Sequence, residues 1–302
     1  MSVYAEKMDT NQKKVNIPME MKKIAVITMA RNDEFFLNRW IKYYGEQFGQ
    51  ENLYIYLDGL DQKLPAQVGQ ANVTIVEKQG LKVVDAEKRR LDFLSDRAAE
   101  LFDVGYQLVI GCDADEFLIV DTNVGKTLAE YLSSLKINTS VSALGLDVGQ
   151  HLTKELPLDT SEPVLQQRHY ALINSRFTKT GIIAKPVRWG RGFHRVNGHN
   201  FHIDKNLYLL HLGNIDYQML MDKFNSQDII ASGEQAHYQR ARFSVINSIT
   251  KGKAVDSDIL FGTARMIQTF CRPIYAWNKP SILGMRWTVK LPERFTNDNL
   301  RF

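Results

Sequence analysis

Cysteine is nearly absent: Cys112 and Cys271 are the two in 302 residues. Thiols this far apart in sequence build no disulfide framework, so a reducing compartment suits the chain. No uninterrupted apolar run reaches the length that crosses a bilayer. The opening stretch is polar as far as Lys23, and residues 24–30 are too short for the apolar part of a secretory signal. The expected location is therefore cytoplasmic, with room for peripheral contact at the inner face of a membrane. Internal repeats and low-complexity tracts are missing. The spacing of His194, His199 and His202, with no cysteines beside them, excludes a zinc pattern.

What is present is an ordinary globular balance, 44% apolar and 24% charged, which argues against disorder. A net charge of +4 is too small to imply a nucleic-acid partner. The basic excess is uneven: from Lys251 onward Lys253, Arg265, Arg272, Lys279, Arg286, Lys290 and Arg294 meet few acids. A solvated helical face explains such a run, and so does contact with an anionic membrane or a polyanion.

Residues 1–21 read as a flexible leader. The β-branched run at 24–29 suits a strand covered on both faces. The polar turn at 30–34 follows, and then Phe35, Phe36, Trp40, Tyr43 and Tyr44 recur at helical spacing. Strands are expected at 53–57, 73–76 and 107–111, with a charged amphipathic helix over 86–101 before the last of them. This β-α-β-β-α-β order predicts a wound α/β sheet. Beyond Asp121, helices are expected at 127–135 and 216–224 and across much of 225–272. Strands are expected at 140–148 and 207–212, and a loop-rich stretch over 149–185.

The chemistry concentrates at Cys112-Asp113-Ala114-Asp115-Glu116, where the fourth strand ends. Open α/β sheets bind ligands at the carboxyl ends of their strands. The turns at 30–34 and 58–61 are expected to converge there. On extended backbone, residues two apart point the same way, so Asp113 and Asp115 can face one ligand. Close carboxylates repel unless a cation or proton lies between them. A hard divalent ion shared with a diphosphate suits such a pair. Solvated loop acids are the plain alternative, but apolar residues bracket this cluster on both sides.

Residues 23–120 resemble the nucleotide-binding half of a GT-A fold glycosyltransferase, close to the family 2 type. Three segments carry the resemblance: Ala30-Arg31-Asn32-Asp33-Glu34 with Phe36-Leu37 and Trp40, Tyr54-Ile55-Tyr56-Leu57-Asp58-Gly59-Leu60-Asp61, and Gly111-Cys112-Asp113-Ala114-Asp115-Glu116-Phe117. Residues 194–196 through 209–212 resemble that family's second half loosely. The chain departs from the pattern at Gly59-Leu60, where the usual serine is missing, and it shows no downstream Glu-Asp base motif. The resemblance implies a GT-A-like mixed sheet flanked by helices, ending in a helical C-terminal segment. It implies a catalytic domain over 22–224, split near residue 120 into nucleotide and acceptor halves, and a basic helical extension over 225–302. It implies a nucleotide-sugar donor, a glycan or lipid-linked acceptor, and Mn²⁺ or Mg²⁺.

By the same resemblance, Asp58 meets the base or ribose, with Asp33 and Arg31 near that pocket. Arg97 reaches the nucleotide or a phosphate, and Asp113 touches ribose or metal-bound water. Asp115 is the main metal ligand, and a late strand-end histidine, His211, can complete an oxygen-rich metal site. His194 and Arg195, with Arg191, form a loop near acceptor or diphosphate. Each has a plain reading beside it: Asp58 caps a turn, Arg97 is a solvated helix charge, His211 is a core histidine, and 191–202 is a surface loop. For the acceptor's general base, Asp147 is the best-placed acid by chain order and Glu162 the second. Other classes remain in view. A nucleotidyltransferase calls for a Gly-rich phosphate loop after Met29, and a haloacid-type phosphatase for an acid directly after the first strand; neither is present. A non-catalytic carbohydrate-binding or scaffold protein on the same fold is the third reading.

Overall fold

The computed structural model describes residues 20–78, 83–233, 235–280 and 286–296. Most of the expected leader lies outside this set.

Eleven strands form one mixed sheet. Strands β1 (Ile24–Ala30), β2 (Leu53–Asp58), β3 (Asn72–Val76) and β4 (Leu108–Gly111) are mutually parallel, in the order β3-β2-β1-β4. Helices α1 (Glu34–Phe48) and α2 (Val83–Asp103) connect them. The alternation along β1 shows why the run is apolar throughout. Ile24 and Val26 join α1's Trp40, Tyr43 and Tyr44 in one core. Ala25 and Ile27 join α2's Leu91, Leu94 and Ala98 in another. Period-two side chains thus serve two helical layers at once.

The second half is largely antiparallel. It contains β5 (Glu116–Val120), β6 (Ser140–Gly149), β7 (Tyr170–Asn174), β8 (Ile182–Ile183) and β9 (Ile203–Asn214). Short β8 joins the halves, pairing antiparallel with both β4 and β6. β9 lies between β5 and β6, which places His211 opposite Glu116 on one side and Asp147 on the other. Helices α3 (Leu128–Ser134) and α4 (Val164–Gln167) fill connections, and α3 opens with a reciprocal Thr127–Glu130 capping box.

Helices α5 (Tyr217–Phe224), α6 (Gln227–Ser232), α7 (Gln235–Lys251) and α8 (Ser257–Phe270) follow. The expected helical extension carries α6, α7 and α8 and two strands besides. Strands β10 (Val255–Asp256) and β11 (Arg286–Lys290) return to the sheet, with β11 antiparallel to β7. Val289, Leu291 and Phe295 are buried in the main core. Arg294 pairs with both Asp121 and Asp258. A short β-branched stretch among basic residues reads as surface until a partner strand supplies its ladder.

Candidate active site

The acid turn between β4 and β5 is gripped by α1. Trp40 Nε1 donates to Cys112 Sγ at 3.3 Å, and Tyr43 Oη donates to the Leu118 carbonyl at 2.7 Å. Tyr44 Oη accepts from the Leu118 amide at 2.7 Å and donates to the Glu116 carbonyl. All three rings are fully buried, and burial of each contributes about 1.5–3 kcal/mol. The helical aromatic spacing in the sequence therefore fixes both flanks of the turn. Cys112 is enclosed here, and burial pushes its thiol up to about 12, which makes it inert packing.

Within the turn the acids divide. Asp113 accepts from Arg90 Nη1 at 2.8 Å and from Lys179 Nζ at 2.6 Å. Burial alone would raise its pKa, but the two cations outweigh that and hold the carboxyl well below the usual range. Lys179 also pairs with Glu116 at 2.5 Å. Glu116 is wholly buried, and burial together with the neighbouring aspartates raises it to about 7 in spite of Lys179. This side of the turn is an ionic cluster in which Glu116 is buried and Asp113 still reaches the cleft.

Asp115 faces the other way. Its Oδ2 lies 3.2 Å from His211 Nε2, and His211 Nδ1 lies 2.7 Å from Asp147 Oδ1. Phe177 stacks on the imidazole with ring centroids 3.8 Å apart. Asp147 is 1% exposed and also accepts from Asn214 and Asn174. Burial would lower the His211 pKa, but the two carboxylates reverse that and raise it. Arg242 Nη1 approaches the same Nε2 at 2.9 Å. One nitrogen cannot donate to Asp115 and accept from Arg242 together. The imidazolium therefore pairs with Asp115, and the neutral ring, with Nδ1–H on Asp147, offers its Nε2 lone pair.

That neutral tautomer is the one a metal requires, and a carboxylate behind the ring is its usual orienting partner. The remaining donor chemistry fits a hard cation. Asp113, Asp115 and Glu116 can bring one carboxylate oxygen each within 4.8 Å of one another. Asp115 and His211 border the cleft beside Gly213, with side chains 11% and 3% exposed against 30% for Asp113. Gly213 supplies the space: a Cβ there would lie 2.7 Å from Asp115 Oδ2, 2.8 Å from His211 Nε2 and 2.6 Å from Arg242 Nη1.

These groups form one wall of a cleft of about 370 Å³. The turns after β1 and β2 form the opposite wall with Arg31, Asp33 and Asp58, and Lys223 and Arg242 reach in from α5 and α7. Arg31 holds the second turn in place. Its guanidinium binds the Asp58 carbonyl at 2.7 Å and both Asp61 oxygens at 2.7 and 2.8 Å. Gly59 lets it approach, since at φ 125° a Cβ would lie 2.3 Å from Arg31 Nη1. Asp33 is raised to about 6, first by burial and then by Asp115, against the lowering effect of Lys223.

The sequence candidates thus separate. Arg31, Asp33, Asp58, Asp113, Asp115 and His211 line one cleft. Asp147 stands behind His211, outside that lining. Arg97 pairs with Glu100, while Arg90, two turns earlier on nearly the same face of α2, makes the contact with Asp113. His194 is largely buried near Lys179, and burial lowers it to about 3. Arg195 donates to Asn278. Glu162 sits in the exposed turn before α4. Lys179, Lys223 and Arg242 were not singled out by sequence. Lys179 lies in the loop-rich stretch, and its partner Asp113 is 66 residues away.

No family model matches the chain, and no curated protein does. Among solved structures it is similar to a mannosyltransferase from Pyrobaculum calidifontis, determined in complex with GDP-Man and Mn²⁺. The likeness has a TM-score of 0.38 at 10% identity, over 84% of this chain and 82% of that one. The functional reading therefore rests on the geometry of the cleft.

Proposed function

We propose that the chain is a metal-dependent glycosyltransferase that moves a hexosyl group from a nucleotide sugar to a glycan or lipid-linked acceptor. The observation that carries this reading is the Asp115–His211 pair, packed against Gly213 in the cleft at the carboxyl end of the parallel strands. Mn²⁺ or Mg²⁺ in that position supplies charge neutralisation for a leaving diphosphate. Asp115 and His211 hold the ion, and Asp147 fixes the imidazole. Lys223 and Arg242 extend the positive side of the cleft toward the phosphates. Asp58, Asp33 and Arg31 take the nucleoside end. Asp113, partly exposed at the cleft, takes ribose or a metal-bound water while Arg90 and Lys179 hold its carboxylate. We read Asp147 as a positioning residue rather than the acceptor's base, because its carboxylate is spent on His211 and two asparagines. An inverting outcome and a role in surface-polysaccharide assembly belong to the same proposal.

The test is a thermal-shift and donor-hydrolysis screen of nucleotide sugars with and without Mn²⁺ and Mg²⁺. A metal-dependent rise in Tm with at least one donor is expected, together with release of its nucleoside diphosphate. Asp115→Ala removes both. Silence across the whole panel, or an Asp115→Ala response equal to wild type, defeats the reading. The anomeric configuration of the product decides between inversion and retention.

A further inference from the structure

Helix α8 carries two apolar faces. Phe261 and Ala264 point into the protein, where Phe261 meets Tyr208 and Phe295. Ile259, Met266 and Phe270 are exposed. At about 100° per residue these three fall within roughly 40° of one another, on the side of the helix opposite the buried residues. The chain then turns through Pro273 and presents Ile274, Tyr275 and Trp277. Exposure reaches 76% at Phe270, 93% at Ile274 and 67% at Tyr275. Single exposed apolar residues are ordinary, but six large ones along one helix face and the turn after it form a surface that needs a partner.

The charge around this surface narrows the partner. Residues 259–292 contain no Asp or Glu, but they contain Arg265, Arg272, Lys279, Arg286 and Lys290. Beside the patch, Arg195 donates to Asn278 and Arg272 to Asn200, both to neutral amides. Partial burial lowers the Lys279 pKa, and repulsion from Arg195 adds to it. No salt bridge to a carboxylate is formed by Arg195, Arg272 or Lys279 among the described residues. Like charges gathered without acids are stabilised by an external anion. Exposed aromatic and aliphatic side chains next to such charges match the boundary between headgroups and acyl chains.

We propose that the outer face of α8 and the turn after it dock on an anionic lipid bilayer, with Phe270, Ile274, Tyr275 and Trp277 entering the interface and Arg272 and Lys279 meeting headgroups. No helix among the described residues is long and apolar enough to span a membrane, so the contact is peripheral. The cleft's chemistry is not needed for this inference, and the two can fail separately.

The experiment is co-sedimentation of the full chain with vesicles of phosphatidylcholine, with and without phosphatidylglycerol. Trp277 emission gives a second readout, with Trp277→Phe as its control. Binding to the anionic vesicles and a blue shift are expected, both weakened by salt. Phe270→Ser/Ile274→Ser and Arg272→Gln/Lys279→Gln should each lower partitioning by about tenfold with Tm unchanged. Two results overturn the proposal. One is equal partitioning of wild type and both variants. The other is no vesicle binding, whether or not the chain self-associates in solution through a face that Phe270→Ser/Ile274→Ser disrupts; if it does, a second copy covers the patch. Donor hydrolysis by the variants is measured alongside, so a fault in the cleft is recognised as such.

Discussion

Asp113 and Asp115 are two residues apart on the same turn and live in opposite surroundings. Asp113 is held by Arg90 and Lys179, with Glu116 sharing the lysine. Asp115 shares a histidine with a buried aspartate and packs against a glycine. One side is an ionic cluster built on Lys179 and Arg90. The other pairs a carboxylate with a histidine that the buried Asp147 orients. The two acids of one strand-end motif thus take different partners, because residues 113–115 form a turn, closed by the Glu116 amide donating to the Asp113 carbonyl at 3.1 Å, and not the extended pleat that would aim both carboxylates the same way.

The comparison is broken most severely at Lys179. Lys179→Met leaves Glu116 buried without its cation and Asp113, partly exposed, with Arg90 alone, and unfolding free energy should fall by about 3–5 kcal/mol. Chemical denaturation at pH 7 checks it. If the loss is no larger than that for Asp115→Ala, the division between the two acids is wrong. Next comes Asp147→Asn, which keeps the packing but weakens the hold on His211. Mn²⁺ affinity by isothermal titration should drop about 10–100-fold, while Lys179→Met should alter affinity mainly through misfolding.

The pH dependence sharpens the Asp115 side. His211 is raised in the folded, metal-free protein. Its contribution is therefore fully present below the unfolded value of about 6.5 and is lost as pH rises through the folded one. Asp115 is depressed, mainly because His211 and the nearby cations outweigh its burial. Its contribution is present above about pH 4 and is lost in acid. Metal-free stability should accordingly peak between those limits, while Mn²⁺ binding strengthens above them as the imidazole gives up its proton. Denaturation midpoints across pH, with His211→Gln as control, test both slopes. The smallest effect concerns Asp33. Its raised value of about 6 means its charge costs nothing below about pH 4 and costs fully above about pH 6. Asp33→Asn should gain about 1 kcal/mol at pH 8, after allowance for the exposed Lys223, and nothing at pH 4.

Much of the first half was legible. The runs that became β1, β2 and β4 are apolar because both faces are covered, and α1's aromatic spacing marks the helix that grips the turn. The meeting of Arg31, Asp33 and Asp58 with the acids follows from where parallel strands end. Less of the second half could be read. The β8 strand is two residues long, and β11 looks like basic surface until β7 pairs with it. Arg97 reads as the residue that reaches a phosphate, yet Arg90, two turns earlier on nearly the same face of α2, is the arginine beside Asp113, so position along the helix decides between them and not helical phase. Asp147 was visible as an acid after a strand but not as the partner of His211, since that contact depends on β6 lying parallel to β9.

The sequence by itself determined that the turn is acidic, that apolar strands and an aromatic helix enclose it, and that it closes a strand in an α/β sheet. Those are local properties, written in composition and period. Which partners each carboxylate takes was decided only by the tertiary structure. The cations and the histidine that make the difference arrive from 23, 66 and 96 residues away: Arg90 and Lys179 at Asp113, and His211 at Asp115 (211 − 115). Electrostatic environment depends on distance in space, and only the fold converts separation along the chain into contact across the turn.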